Sequence, residues 1–190
     1  MKIVYSHLLN FLEKKPSIEE LSDKLFQLGH EHELEGEVFD LEITPNRGDC
    51  LSLKGLARDL NHFYSAKLNQ KIFEDELPEA NLKFENKAEN LCPNICFVEI
   101  EIEGEIKSYA SYLENYFNDL NLNKNNFFTD ISNYLAYETG QPTHCYDAEK
   151  IAGPLVLEKR NKKEEFKTLL GTEIELEGEN LVFTVNGVAV

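Results

Sequence analysis

LEITPNRGDCLSLKGLARDL, running from Leu41 to Leu60, is the stretch on which the reading of the chain turns. Phe39, Leu41 and Ile43 alternate with Asp40, Glu42 and Thr44, the period of two that marks a half-buried strand. Pro45 ends that strand, because proline has no amide hydrogen to give a ladder. Pro45-Asn46-Arg47-Gly48-Asp49 then sets turn formers side by side, so a sharp reversal is expected. Leu51, Leu53, Leu56, Ala57 and Leu60 recur at helical spacing, with Asp49 or Ser52 as the N-cap and Lys54, Arg58 and Asp59 on the wet side. No nucleophile or acid–base partner accompanies Arg47 and Arg58, and ion pairs or interdomain contacts are their expected use.

Upstream, Met1 to Tyr5 reads as a short strand, and Ser6 is placed to cap a helix carrying Leu8, Leu9, Phe11 and Leu12. Pro16 stops it. Ser17 and Glu20 have the form of a capping box, and Ile18, Leu21, Leu25 and Leu28 put an apolar stripe on a second helix that Gly29 can close. His30 and His32 fall on one face of a following strand, both expected at the surface, since two imidazoles without a third ligand make a poor metal site. Glu33 to Phe39 then runs directly into the opening stretch.

Downstream, the helix is expected to end near Ser65, and Lys67 to Asn90 is charged and reads as a linker with short extended pieces. Ile95 to Ile102, ICFVEIEI, has the alternation of a strong strand closed by Gly104. Tyr109 to Leu120 suits a helix, and Phe127, Phe128, Ile131, Tyr134 and Leu135 suit another beyond a polar turn at 121–126. Short strands follow at Leu155–Glu158, Phe166–Leu169, Ile174–Leu176, Leu181–Val185 and Val188–Val190. The division expected is therefore a first module over residues 1–75, a linker over 76–90 and a second, incomplete module over 91–190, cut within a domain at Val190. The fold class is α+β, a small N-terminal α/β module followed by the first part of a larger mixed α+β module.

With 190 residues, 42% hydrophobic and 28% charged, the chain is long enough for real cores. No run approaches a membrane span or a signal peptide, so a cytoplasmic protein without a membrane partner is expected. Cys50, Cys92, Cys96 and Cys145 match no disulfide framework and no common zinc spacing, and no metal is expected. Nineteen Lys and Arg against thirty-five Asp and Glu give a formal charge of −16. Such a surface repels a phosphate backbone unless cations are gathered in one place. The dense basic run is Lys159, Arg160, Lys162 and Lys163, read either as a possible contact for a nucleic-acid backbone or as an ordinary solvated hairpin turn.

Two blocks carry a resemblance. Thr44, Pro45, Asn46, Arg47, Asp49, Cys50 and Leu51, with Gly55, Ala57, Arg58 and Leu60, resemble the TPNRxDCL and GxAR(D/E)L segments of the bacterial phenylalanyl-tRNA synthetase beta chain. Asp130, Ile131, Ser132, Asn133 and Tyr134, followed by Glu138, Gly140, Gln141, Pro142, His144 and Asp147, resemble its DVTNY and GQPxHAFD segments. In that family an oligonucleotide-binding-type barrel is usually inserted before the first block. Here it is missing, through loss in a short lineage or through removal with the ends joined at Gly36-Glu37.

The resemblance implies a beta chain that scaffolds the catalytic alpha chain, helps to place tRNA and hydrolyses tRNA mischarged with tyrosine. An apolar pocket rejects an added hydroxyl only modestly, so a second, hydrolytic site is useful. His144 and Asn133 are implied at or near that editing pocket, where imidazole can position water and a carboxamide can donate and accept together. Each also fits a structural role, His144 in a helix-exit turn and Asn133 within a helix, while Asp130 and Asp147 read as caps or turn formers. The family usually has an arginine in the turn before the second block, and that position falls at Asn123, beside Lys124. ATP and magnesium are implied for the parent enzyme, which is an aminoacyl-tRNA synthetase, with the alpha chain and tRNA as partners. No cofactor and weak or absent tRNA binding are expected for this stretch alone. A free-standing hydrolase of mischarged tRNA and a purely structural interaction module are the competing readings.

Overall fold

The computed structural model describes residues 1–66, 74–168 and 171–190. The chain gathers into two units, Met1–Glu74 with Glu105–Cys145, and Asp75–Gly104 with Tyr146–Val190.

In the first unit β1 (Lys2–Val4), β2 (Glu31–Glu35) and β3 (Val38–Glu42) form an antiparallel sheet in the order β1-β3-β2. Glu35 pairs with Val38, so only Gly36 and Glu37 make the β2–β3 turn, and Gly36 has a φ of 60°. A two-residue hairpin needs that left-handed backbone. Between β1 and β2 lie α1 (Tyr5–Leu9) and α2 (Ile18–Gln27). Ser17 accepts a hydrogen bond from the Glu20 amide at 3.2 Å, and Gly29 follows α2 at a φ of 85°, as the sequence predicts. The Ser6 cap does not form: α1 begins at Tyr5 with Val4 before it and no side-chain cap, because β1 runs straight into the helix.

After β3 a 3-10 turn at Pro45–Cys50 leads to α3 (Leu53–Tyr64). Ser52, rather than Asp49, is the N-cap, accepting from the Gly55 amide at 3.0 Å. At Gly55 a side chain would overlap the Asp49 carbonyl, so the helix packs onto its own turn only through glycine. Ser65 closes α3 at a φ of 49°.

Two further helices complete this unit, α4 (Ser111–Asp119) and α5 (Phe127–Thr139). Leu113, Tyr116, Phe117 and Tyr137 join Ile3, Leu8, Leu21, Leu25, Phe39, Leu41, Leu56 and Leu60 in one apolar core. Polar ties reinforce it: the Val4 amide donates to the Tyr137 hydroxyl at 3.2 Å, His7 meets Asp119 at 3.0 Å, and Lys54 pairs with Glu138 at 2.9 Å. Gly140 ends α5 with a φ of 77°, and a Cβ there would press on Ser52 at 3.3 Å. The units therefore cut the chain elsewhere than composition does. The helices of 105–145, read in sequence with the second module, share their core with the first 74 residues, since their aromatic faces find cover there.

The second unit holds β4 (Phe84–Asn86), β5 (Leu155–Asn161), β8 (Glu179–Val185) and β9 (Val188–Ala189) in that order in one sheet, and β6 (Glu164–Lys167) with β7 (Glu173–Leu176) in another. β4 pairs parallel with β5, so part of the expected linker is a strand. The rest of that expected linker includes 67–73, which, like Leu169, lies outside the described residues. The strand expected at Ile95–Ile102 is not formed. Phe97 stacks on Phe84 at 4.7 Å, whereas Val98, Ile100 and Ile102 are exposed. A strand exists only where a ladder partner accepts its amides, and among the described residues none is paired with this run.

Candidate functional site

The residues that the second block implies for an editing pocket sit on and after α5. Asn133 is an exposed residue within the helix, and His144 is exposed in the irregular segment that follows Gly140. That segment turns back along the helix. The Cys145 thiol lies 3.4 Å from Ser132 Oγ and 3.6 Å from the Phe128 carbonyl, so the neighbours in sequence of His144 and Asn133 are in contact. Asp130 is wholly buried and structural: its carboxylate accepts from the Asn125 amide at 3.1 Å and from the Tyr109 hydroxyl at 2.6 Å. Asp147 caps a short 3-10 turn, accepting from the Glu149 amide at 3.2 Å.

Asn123 is exposed in the α4–α5 turn. Its neighbour Lys124 is held against Glu114 and lies 5.0 Å from the centre of the Tyr109 ring. That cation is already engaged, which weighs against its standing in for an arginine at Asn123.

In the second unit every cation of the basic run is paired with acids of the same strand, of neighbouring strands or of the turn after β7. Lys159 pairs with Glu179 at 2.5 Å, Arg160 with Glu158 at 2.7 Å and Glu164 at 3.3 Å, Lys162 with Glu164 at 2.7 Å, and Lys163 with Glu175 and, at 3.2 Å, with Glu177. Arg160 also donates to the Gly187 carbonyl at 2.7 Å. Its hydrogen bond holds the Glu158 carboxyl below the usual range.

The TPNRGDCL turn brings together a dense charge cluster in the first unit. Arg47 donates to both oxygens of Asp49 at 3.0 Å, to Cys50 Sγ at 2.8 Å and to Asp59, while Arg58 pairs with Asp49 and, at 3.5 Å, with Asp59. The ion pairs expected of both arginines are therefore present. Hydrogen bonds from Arg47, with the charge of Arg58 beside it, hold the Asp49 carboxyl well below the usual carboxylate range. Burial acts to raise Asp59, but Arg47 outweighs it and the group stays low. Burial, with Asp59 adding to it, pushes the Cys50 thiol up to about 12.

His30 corrects the sequence reading. It is 2% exposed, and its Nε2 has no hydrogen-bond partner among the described residues. Burial first, and then the charge of Arg47, lower its basicity. Alternation placed His30 at the surface with His32, but it precedes β2, and its amide donates to the Leu25 carbonyl at 3.0 Å, turning it inward. His32 remains at the edge, 2.8 Å from Ser22 Oγ. A cavity of about 220 Å³ lined by His7, Phe11, Leu53, Tyr112 and Tyr134 was also invisible in the sequence, because four separate segments build it.

Residues 91–190 match the family model described as the B3/4 domain. Among curated proteins, the phenylalanine–tRNA ligase beta subunit of Wolbachia sp. subsp. Brugia malayi is 30% identical over 194 residues, which covers 95% of this chain and 24% of that protein. The beta subunit of Carboxydothermus hydrogenoformans is 34% identical over 154 residues, 79% of this chain and 19% of the relative. That of Ehrlichia ruminantium is 33% identical over 173 residues, 86% and 21%. The chain thus spans between 19% and 24% of the length of these relatives.

Proposed function

The chain belongs to the B3/4 domain family, and on that premise we propose that it is a segment of a phenylalanine–tRNA ligase beta subunit that supplies scaffold and part of an editing module. In the complete enzyme the alpha chain takes ATP and magnesium and charges tRNA with phenylalanine in the cytoplasm. The residues here serve after charging, at the hydrolysis of tyrosyl-tRNA. His144 places water or the tRNA end, and Asn133 hydrogen-bonds beside it. The observation that supports this reading is the Cys145–Ser132 contact, which lays the segment carrying His144 along the helix carrying Asn133. Asn123 and the paired Lys124 leave the adjoining turn without a guanidinium fork, a weakness for gripping phosphate.

The test is hydrolysis of tyrosyl-tRNA by the complete synthetase carrying this sequence. His144→Ala is expected to lower it at least about tenfold, and Asn123→Arg to raise it. Unchanged hydrolysis in the His144 variant would overturn the editing role. Deacylation of tyrosyl-tRNA by this chain alone would instead establish a free-standing hydrolase, and alpha-chain binding with no effect on tRNA would leave a structural module.

A further inference from the structure

His30, Cys50 and Asp59 each offer a ligand atom, and the three atoms lie within 4.8 Å of one another. They come from three elements of the first unit: the α2–β2 connection, the end of the 3-10 turn and the middle of α3. Each is fixed by its backbone, His30 through the Leu25 carbonyl and Cys50 and Asp59 through the helices that hold them. The spacing in sequence, 20 and then 9 residues, matches no metal motif, so only folding brings the set together.

Two observations point to a cation. The His30 Nε2 is buried with a lone pair or a proton that no described group satisfies. The opposite side of the cluster is already organised around positive charge, since Arg47 donates to both the Cys50 sulfur and Asp59. One imidazole, one thiol and one carboxylate suit zinc, a borderline-soft ion that binds N, S and O donors; magnesium and calcium prefer an all-oxygen shell. Cys50 Sγ and Asp59 Oδ2 are 3.6 Å apart, the separation of two ligands on a tetrahedral ion with bonds of about 2.0–2.3 Å. The imidazole nitrogen lies within 4.8 Å of both, so it has to draw in by at most about 1.3 Å to reach the tetrahedral separation.

We propose that His30, Cys50 and Asp59 form a binding site for zinc, which enters by displacing the Arg47 guanidinium. On binding, the Cys50 S–H bond breaks, its proton passes to water and a zinc–sulfur bond forms. Thiolate and carboxylate then balance the two charges of the ion, and a water takes the fourth position. Arg47 keeps its Nε hydrogen bond to Asp49 Oδ1 as Nη2 leaves the sulfur and Asp59, so the displaced cation stays compensated.

The experiment uses the full chain stripped with a chelator and titrated with cobalt(II), whose thiolate complexes absorb in the near ultraviolet and whose tetrahedral complexes absorb in the visible. One equivalent is expected to give both signals, and zinc to bleach them. Cys50→Ser and His30→Ala should each weaken binding at least tenfold, while Arg47→Met should tighten it about tenfold by removing the competing cation. Zinc should also raise the melting temperature of the unaltered chain where magnesium does not, a readout that needs no variant to fold. No thiolate band, a band that survives Cys50→Ser, or equal stabilisation by zinc and magnesium would each overturn the site, the last by assigning binding to the acidic surface.

Discussion

Tyr109 keeps its proton into alkaline solution. The phenol donates to buried Asp130 at 2.6 Å, and this bond first, then burial, raises its pKa from an ordinary 10.0 to about 12. A group that binds its proton more tightly when folded stabilises the fold fully below its unfolded pKa, and the contribution is lost as pH rises through the folded one. Stability should therefore fall between about pH 10 and pH 12. Tyr116, Tyr134 and Tyr137, all raised chiefly by burial, push in the same direction. Urea unfolding near neutrality and at about pH 11 checks this, with Tyr109→Phe beside it. The variant should lose about 1 kcal/mol near neutrality and show a shallower alkaline slope. An identical slope in both proteins would place the proton elsewhere.

At the scale of elements, α3 tests how closely a helix is seated on the turn before it. Alanine is the better helix former by about 1 kcal/mol, yet a methyl at Gly55 meets the Asp49 carbonyl, which is backbone and cannot swing aside. Gly55→Ala should cost about 1–3 kcal/mol in denaturant unfolding. Gly48→Ala, in the same turn but with nothing within 4 Å of its Cβ position, should be close to neutral. The contrast also explains what was legible in advance. Ser17, Ser52, Asn126 and Gly140 mark helix ends by bonds to residues at most four positions away, so α2, α3 and α5 could be read from sequence. Strands depend on partners far along the chain, and ICFVEIEI has the pattern of a strand but not the pairing. The candidate sites were legible in the same uneven way. His144, Asn133 and the two arginines stood out by wording, whereas burial of His30 beside Cys50 and Asp59 is a tertiary fact that alternation in the chain contradicts.

Across the whole molecule, thirty-five acids face nineteen bases, and the basic run spends its charges on its own glutamates. Self-repulsion then outweighs the exposed ion pairs, so added monovalent salt, which shortens the Debye length to about 10 Å at 0.1 M, should raise the melting temperature. A falling melting temperature would show that the pairs dominate. Among the described residues no helix is long and apolar enough to cross a membrane. The tie between the Val4 amide and the Tyr137 hydroxyl, 133 positions apart, has a consequence in time. A ribosome adding about 5–20 residues per second needs on the order of ten seconds to travel from one to the other. The β2–β3 hairpin can close soon after it emerges, but the face awaiting α4 and α5 stays open through that interval, and residues 75–104 are synthesised in the middle of it. Arrested nascent chains ending before Tyr137 should accordingly be cut readily by protease and held by chaperones, and longer ones should escape both. Manufacture and folding run on different schedules in this chain, and its most vulnerable moment is before release.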